Sequence, residues 1–178
     1  FPRNGFHLRQ PLFEPRPGTL PEAEIHARLV EALGELDDRH YRLLRSAAGL
    51  GLTAFGLAFA WKSHRDKQVA RYAPVVLYRT LAQRLPAGMD AAAALWGICQ
   101  MYVRRNPVPA GRAGFGGSPL RAGNELFDAI IRSPSGVVFA VSEYAESWQA
   151  VRHPGQRINL HLPELMPELA SLEVGPPA

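Results

Sequence analysis

Prolines and glycines mark most of the element boundaries that this sequence predicts. The chain has 16 of each among its 178 residues. Proline lacks the backbone N–H group that a helix interior or a central strand needs, and glycine weakens both kinds of element. Proline is nevertheless accepted in the first turn of a helix, and glycine just after its end. We therefore expect short elements that begin or end at these residues.

The first 18 residues are predicted to be a proline-rich connector. Pro11, Pro15 and Pro17 each push the preceding residue towards an extended conformation. The segment has no initiator methionine, so we expect it to be the exit from a preceding domain. Residues 19–178 are then expected to form a single, mostly helical domain, which is an ordinary size for one core.

The first predicted helix follows this connector directly. Thr19 and Glu22 have the spacing of a capping box, in which each side chain bonds the other residue's backbone amide. Ile25 and Leu29, with Leu33, form an apolar stripe at helical spacing. The glycine after Leu33 is expected to end the helix.

Three more helices are predicted before residue 106. Residues 38–64 fit one long helix, although their uncharged run Ser46–Trp61 also fits two short ones. This run has 16 residues, fewer than the roughly 18–20 needed to span a bilayer, so no membrane insertion is predicted. Pro74 is expected to open the next helix, and residues 91–105 form another. The only cysteine, Cys99, lies in this last helix and is interpreted as a small buried hydrophobe.

The C-terminal third changes character. Residues 106–124 are rich in glycine and proline and are predicted to be a loop. An apolar strand at residues 137–141, a helix and a second, parallel strand at 158–162 are expected to form a strand–helix–strand unit at about 136–162. The predicted fold class is therefore mainly α with a small strand–helix–strand unit near the C-terminus, that is, α+β.

Composition and charge favour an ordinary globular protein. Hydrophobic residues make up 47% of the chain and charged residues 20%. The net charge is +4, but the 20 basic and 16 acidic residues are scattered along the sequence, without the basic run typical of nucleic-acid binding. No nucleic-acid partner is predicted. No signal peptide is visible, and a cytoplasmic location is expected.

No self-sufficient catalytic pattern is found. The six histidines show no metal-ligand spacing. The sequence also lacks the G-x-S-x-G motif that forms the nucleophile elbow around a catalytic serine. The glycine-rich stretch "GRAGFGG" lacks a preceding strand and a following Lys-Ser or Lys-Thr, so it does not predict a phosphate loop.

One stretch, "FPRNGFHLR", places polar residues between aromatic ones. Arg3, Asn4 and His7, followed by Arg9, stand in a segment predicted to be irregular. Polar groups held on a loop by aromatic anchors are typical of the walls of ligand pockets. Arg3, Asn4 and His7 are therefore the candidate cofactor-binding residues, and a solvated linker is the alternative. No catalytic residue and no metal ligand are predicted.

Three long stretches resemble one family in running sequence. Residues 1–34, which include "PGTLPEAEIHARLVEALG", together with residues 73–100 and 124–172, resemble one region of the molybdopterin oxidoreductases. The similarity is to the formate dehydrogenase and nitrate reductase type within the DMSO reductase superfamily. It covers nearly the whole chain in order, but contains no short catalytic signature.

The resemblance implies a helical segment inside a larger oxidoreductase. The parent would carry molybdopterin guanine dinucleotide, molybdenum or a related metal, and a [4Fe-4S] cluster. The family's four-cysteine motif and its metal-binding Cys, selenocysteine or Ser have no matching position here, so no catalytic residue is carried over. The implied partners are the remaining domains of the parent, and Arg3, Asn4 and His7 would approach its substrate or cofactor channel.

A second function fits the same sequence. A stand-alone helical module could use its apolar segments to bind a protein partner, without enzymatic activity. Exposure of a large apolar face is expected for a segment of a larger body, whereas a monomer with a complete core would favour the module.

Overall fold

The computed structural model describes residues 3–9, 13, 16–158 and 161–172. A short strand, β1 (Arg3–Phe6), precedes five helices: α1 (Glu22–Ala32), α2 (Asp38–Gly49), α3 (Leu52–Arg65), α4 (Lys67–Arg71) and α5 (Ala73–Leu81). Two 3-10 segments, Ala82–Arg84 and Asp90–Ala94, lead to α6 (Leu95–Arg105), α7 (Pro107–Arg112), α8 (Pro119–Arg132) and the strand β2 (Val137–Val141). Two further 3-10 segments, Tyr144–Ala150 and Pro154–Gln156, and the helix α9 (Met166–Ser171) follow.

The fold class is mainly α with a two-stranded sheet, as predicted. The chain divides into two compact units, of which the larger is Arg3–Val141. The described residues from Ser142 onwards belong to the second unit. None of the helices in the described part of the chain combines the length and the apolar character needed to cross a membrane.

The sheet corrects the predicted strand pairing. The strand at Val137–Val141 is confirmed, but it pairs antiparallel with β1, with Arg3 opposite Val141 and Asn4 opposite Ala140. The prediction that residues 3–6 are irregular is therefore wrong. Of the predicted second strand, Asn159 and Leu160 lie outside the described residues, and the described residues at 158 and 161–162 have no strand structure. The segment between, expected to be an α-helix, is the 3-10 segment Tyr144–Ala150.

Gly51 divides the predicted long helix into α2 and α3. Its φ of 114° and ψ of 168° lie in a region that essentially only glycine occupies. Helix α2 therefore ends before Gly51, and α3 begins at Leu52.

At the other end of α2, the Asp37 side chain caps the helix by accepting a hydrogen bond from the Arg39 amide.

The predicted loop at 106–124 is largely helical. Pro107 occupies the first turn of α7, where its missing N–H group costs nothing. Pro119 does the same in α8, and the Ser118 hydroxyl accepts a hydrogen bond from the Arg121 amide as an N-cap. The prolines in this stretch therefore begin helices rather than prevent them.

The core lies where α3, α6 and α8 meet. Phe55 and Phe59 of α3 pack edge-on against Trp96 of α6, with ring centroids 5.1 and 5.6 Å away. Phe127 of α8 is also buried. Cys99 is buried as predicted, and burial raises the pKa of its thiol to about 12. Edge-to-face packing of this kind stabilises the core beyond simple area burial.

Helix α1 packs against the rest of its unit through Ala27, which is buried, and Val30, which is partly buried, with acidic side chains beside them. Arg79 of α5 forms ion pairs with Glu24 at 2.7 Å and with Glu31 at 2.8 Å. Ile25, Leu29 and Leu33 are exposed instead of buried. The predicted capping box at Thr19 is wrong, because α1 begins at Glu22 and no side chain caps it. The Thr19 hydroxyl instead donates to the Arg16 carbonyl in the preceding turn.

Candidate functional site

Arg3 and Asn4 lie side by side on β1, with both residues exposed. Successive side chains of a strand point to opposite faces of the sheet. Two neighbouring residues on β1 therefore present their polar groups in different directions. The register irregularity of the sheet falls just after Asn4, between Asn4 and Gly5.

His7 lies just beyond β1, beside the turn before β2. Its Nε2 is 2.6 Å from the Pro134 carbonyl oxygen, a hydrogen bond that requires Nε2 to carry the proton. A shallow depression of about 250 Å³ is lined here by His7 with Gly5 and Phe6, and by residues 135–138. Arg3 and Asn4 do not line it. The structure thus brings His7 together with the 134–136 turn, and not with the other two candidate residues.

The other histidine of note is His40, one of the six for which the sequence shows no metal-ligand spacing. It is buried, and its Nδ1 accepts a hydrogen bond of 2.9 Å from the Asp37 amide. Its Nε2 lies 3.2 Å from Gln68 Oε1 on α4. Both ring nitrogens join the start of α2 to α4, which is a structural role. Among the described residues, no group of three or more His, Cys, Asp and Glu side chains is close enough to hold a metal ion.

A larger cleft of about 430 Å³ opens between α3, α8 and the chain after α5. Its apolar wall consists of Leu52, Leu81, Leu85 and Phe127. We call this the Asn124 cleft, because Asn124 of α8 is the one lining polar residue that is buried. A cavity of this size is in the range of small-molecule sites in proteins.

Hydrogen bonds to Trp96 and Gln100 fix the orientation of the Asn124 amide. Its Oδ1 accepts from Trp96 Nε1 at 2.9 Å and from Gln100 Nε2 at 2.8 Å. An indole N–H can only donate, so the oxygen of Asn124 must face Trp96. The NH2 group then points away from both partners, and it makes no hydrogen bond with any described residue. Asn124 is 8% exposed.

The polar rim of the Asn124 cleft is formed by Thr53, Arg84, Asp128 and Arg132. Arg132 and Asp128 form a loose ion pair of 3.7 Å. The Arg84 guanidinium is exposed and makes no ion pair or hydrogen bond within the described part of the chain. Two guanidinium groups and one carboxylate give the rim a formal charge of +1.

The N-terminus of α3 also borders the Asn124 cleft. Leu52 and Thr53, the first two residues of this helix, are lining residues. The N-cap position is Gly51, and no side chain caps the helix. The first amide groups of α3 therefore lack a side-chain acceptor and add positive potential on this side of the cleft.

Sequence reasoning missed the Asn124 cleft. Arg84, Asn124 and Arg132 come from separate elements, and no spacing in the sequence indicates that they meet. One signal existed: Asn124 stands on the inward face of α8, two and three residues before the buried Leu126 and Phe127. A polar side chain on such a face needs a buried partner or faces a cavity.

No protein-family model, curated protein or solved structure matches this chain.

Proposed function

We propose that this chain is a helical, non-catalytic segment of a molybdenum–pterin oxidoreductase of the formate dehydrogenase and nitrate reductase type. Its role there is to pack between other domains and to line a pocket or channel, in a cytoplasmic enzyme. The resemblance over nearly the whole chain supports the family. The exposure of apolar side chains at helical spacing carries the structural part of the proposal.

The first such surface is the α1 stripe, which consists of Ile25, Leu29 and Leu33. Leu29 is 56% exposed and Leu33 is 76% exposed, although each lies one helical turn from the next apolar residue. Single exposed apolar residues are common on protein surfaces, but an aligned row of them is typical of an interaction face. In the parent enzyme this stripe packs against a neighbouring domain.

The second surface lies in the C-terminal unit. None of its residues whose burial is described is buried. Met166 and Leu169 of α9, together with Leu162 and Leu165 just before it, recur at helical spacing and are all exposed. A segment this short that buries no apolar side chain gains too little hydrophobic stabilisation to offset the loss of chain entropy. Its apolar face therefore supports a role within a larger body.

The described residues do not fit a pterin dinucleotide by themselves. The depression beside β1 is small, and of its two polar side chains, His7 and Ser135, the imidazole of His7 already bonds the Pro134 carbonyl. Binding of the cofactor, the metal and the iron–sulfur cluster is therefore proposed for the flanking domains of the parent. Arg3, Asn4 and His7 are proposed to face its substrate or cofactor channel.

Elemental mass spectrometry tests the family assignment. The polypeptide that contains this sequence is purified from its native host, and its molybdenum and iron are measured together with its mass. We expect both metals in a chain far heavier than 19.6 kDa. Absence of both metals from a chain of about this mass would overturn the proposal.

Substitution of the candidate channel residues tests their role. Arg3→Ala, Asn4→Ala and His7→Ala are each introduced into the full-length enzyme. We expect lower turnover or lower molybdenum content. Unchanged turnover with full molybdenum content in all three variants would contradict the assignment.

Leu29→Glu tests the α1 stripe in the same enzyme. A charge buried at a domain interface is costly, so we expect loss of thermal stability or of bound molybdenum. Leu50→Glu is the matched control, since Leu50 is 83% exposed and lies at the end of α2, outside the stripe. Equal effects of the two substitutions would show that the stripe is not a specific interface.

A stand-alone interaction module is the second candidate. The observation that favours it is the continuous buried core of the Arg3–Val141 unit, which includes Leu44, Phe55, Trp96 and Phe127. In that case the native chain has about the mass of the present one, holds neither metal, and elutes with a protein partner. The same purification distinguishes the two candidates.

A further inference from the structure

We propose that the Asn124 cleft binds a small organic monoanion, a carboxylate attached to an apolar body. This inference does not rest on the proposed function, because every residue that it uses belongs to the Arg3–Val141 unit. It assigns the cleft a ligand class from its shape, its free donors and its charge.

The free donor at the floor of the cleft is the Asn124 amide group. This side chain is more than nine-tenths buried, and Trp96 and Gln100 hold its oxygen away from the cleft. Ser63 Oγ is the one described side-chain atom that is fully buried without a partner, so the Asn124 NH2 group keeps contact with water. A ligand oxygen would replace that water as its acceptor. The amide therefore selects for an acceptor, and a carboxylate oxygen is a strong one.

The rim of the cleft matches a single negative charge. Arg84 has no partner among the described residues, and Arg132 shares its charge only loosely with Asp128. A guanidinium binds a carboxylate through paired, charge-assisted hydrogen bonds. The formal charge of +1 suits a monoanion, whereas a phosphate dianion would meet the Asp128 carboxylate with excess negative charge.

The uncapped N-terminus of α3 favours the same ligand. Its first amide groups, at Leu52 and Thr53, have no side-chain acceptor. Helix N-termini of this kind attract anions through both their N–H groups and the helix dipole. Three independent features of the cleft thus select for an anion.

The apolar wall calls for a hydrophobic body on that anion. Leu52 and Leu85 are partly exposed and give the wall its accessible apolar surface, and Leu81 and Phe127 lie almost fully buried behind them. The cleft volume of about 430 Å³ is larger than an inorganic ion or a formate-sized molecule needs. A medium-chain or aromatic carboxylate places its body against this wall and its charge at the rim.

Nuclear magnetic resonance with octanoate tests the proposal on the 178-residue chain. The indole N–H of Trp96 bonds directly to Asn124, so its resonance reports on the floor of the cleft. It is assigned by elimination with Trp61→Phe and Trp148→Phe, since both of those tryptophans are exposed. We expect octanoate to shift the Trp96 resonance in a saturable manner. Octanol and octylammonium, which lack the negative charge, and inorganic phosphate, which lacks the apolar body, are expected not to do so.

Two arginine variants make the test specific. Arg84→Gln and Arg132→Gln are each expected to weaken octanoate binding about tenfold, the effect of one charge-assisted hydrogen bond. Arg104→Gln on α6 removes an exposed arginine outside the cleft and is expected to leave the affinity unchanged. In Asn124→Asp, one carboxylate oxygen can still accept the hydrogen bond from Trp96. The other replaces the NH2 donor with a negative charge that repels octanoate, so we expect this variant to abolish binding.

Three results would overturn the proposal. The first is a Trp96 resonance that octanoate does not shift to saturation. The second is octylammonium or octanol binding as tightly as octanoate. The third is an Arg104→Gln variant that weakens binding as much as Arg84→Gln does.

Discussion

Arg79 links two helices through its side chain. Its guanidinium reaches from α5 to two carboxylates of α1, with Nη1 2.7 Å from Glu24 Oε2 and Nε 2.8 Å from Glu31 Oε1. The Tyr41 hydroxyl of α2 donates to the same Glu31 at 3.0 Å. These partly buried contacts attach α1 to α5 and α2, in addition to the packing of Ala27 and Val30, while the stripe at Ile25, Leu29 and Leu33 faces solvent.

Glu24 makes this attachment dependent on pH. Hydrogen bonds from Arg28 and Arg79 hold the pKa of Glu24 below its ordinary value of 4.5, although burial acts in the opposite direction. Because the folded state lowers this pKa, the charged carboxylate contributes stability above pH 4.5. That contribution is lost as the pH falls through the lowered pKa.

Glu24→Gln tests this dependence by urea unfolding at several pH values. We expect the variant to lose about 1–2 kcal/mol at neutral pH, where the charge-assisted bonds to Arg28 and Arg79 are fully formed. The difference from the wild type is expected to shrink as the pH falls below 4.5, since protonation neutralises Glu24 in the wild type as well. A difference that stays constant down to about pH 3 would contradict the assignment.

At the residue scale, the sequence predicts burial better than it predicts polar contacts. Cys99 was placed correctly because a long uncharged stretch surrounds it. The sequence contains no signal for the burial of His40, because its partner Gln68 lies in another helix. The free amide of Asn124 follows from contacts with Trp96 and Gln100, more than 20 residues away, and no local pattern encodes them.

Gly51 decides the length of two elements. Alanine there would have to adopt a φ of 114°, which strains any residue with a side chain. We expect Gly51→Ala to lower the free energy of unfolding by about 2 kcal/mol in urea or thermal unfolding. Gly49→Ala, two residues earlier within α2 and with open space around it, is expected to be neutral or to stabilise by about 0.5 kcal/mol. A fused α2–α3 helix in the Gly51→Ala variant, with unchanged stability, would show that the break is not required.

Close packing of α6 against α8 depends on Gly123. A Cβ atom at this position would lie 2.5 Å from the side-chain Cδ of Gln100. We expect Gly123→Ala to displace Gln100 from Asn124 and to destabilise the protein by about 1–3 kcal/mol. The Trp96 indole resonance should move with it, because Trp96 and Gln100 share the Asn124 oxygen.

Gly111→Ala in α7 is the matched control for this packing effect. Nothing lies within 4 Å of a Cβ atom built there, so only helix propensity acts. We expect a gain of up to about 1 kcal/mol. If both alanine variants were stabilised, the approach of α6 to α8 at Gly123 would not be limiting.

At the element scale, local patterns predicted the strand β2 correctly, but not its partner or the helices within residues 106–124. The apolar run "VVFAV", rich in β-branched and aromatic residues, indicates a strand. Its partner β1 lies more than 130 residues earlier, and only tertiary structure specifies that pairing. Residues 106–124 were interpreted as a loop because glycine and proline usually break helices. In the structure, Pro107 and Pro119 stand in first turns, the one helical position where proline fits well.

For the whole molecule, the core and the proposed C-terminal interaction surface are separate in sequence. Every buried hydrophobic residue of the described part lies between Ala27 and Ala140. The described residues of the C-terminal unit contribute none, yet they include exposed large side chains such as Trp148, Ile158 and Leu169. This distribution predicts a stable body followed by a segment that depends on contacts outside itself.

Truncation after Val141 tests that distribution. We expect the shortened chain to unfold cooperatively, with a free energy within about 1 kcal/mol of the full chain, because it keeps the entire described core. It should also associate less at high concentration, since it loses the exposed apolar residues of α9.

Removal of residues 1–9 is the contrasting deletion. It takes away β1 together with Phe6 and Leu8, which pack against the core, and is expected to cost about 2 kcal/mol or more. Urea unfolding and size-exclusion chromatography of both deletions measure these effects. The slope of the unfolding free energy against urea concentration reports how much surface unfolding exposes. A smaller slope after truncation at Val141 would mean that residues 142–178 contribute to the folded core. The C-terminal segment would then belong to the Arg3–Val141 unit and would not depend on contacts with another domain.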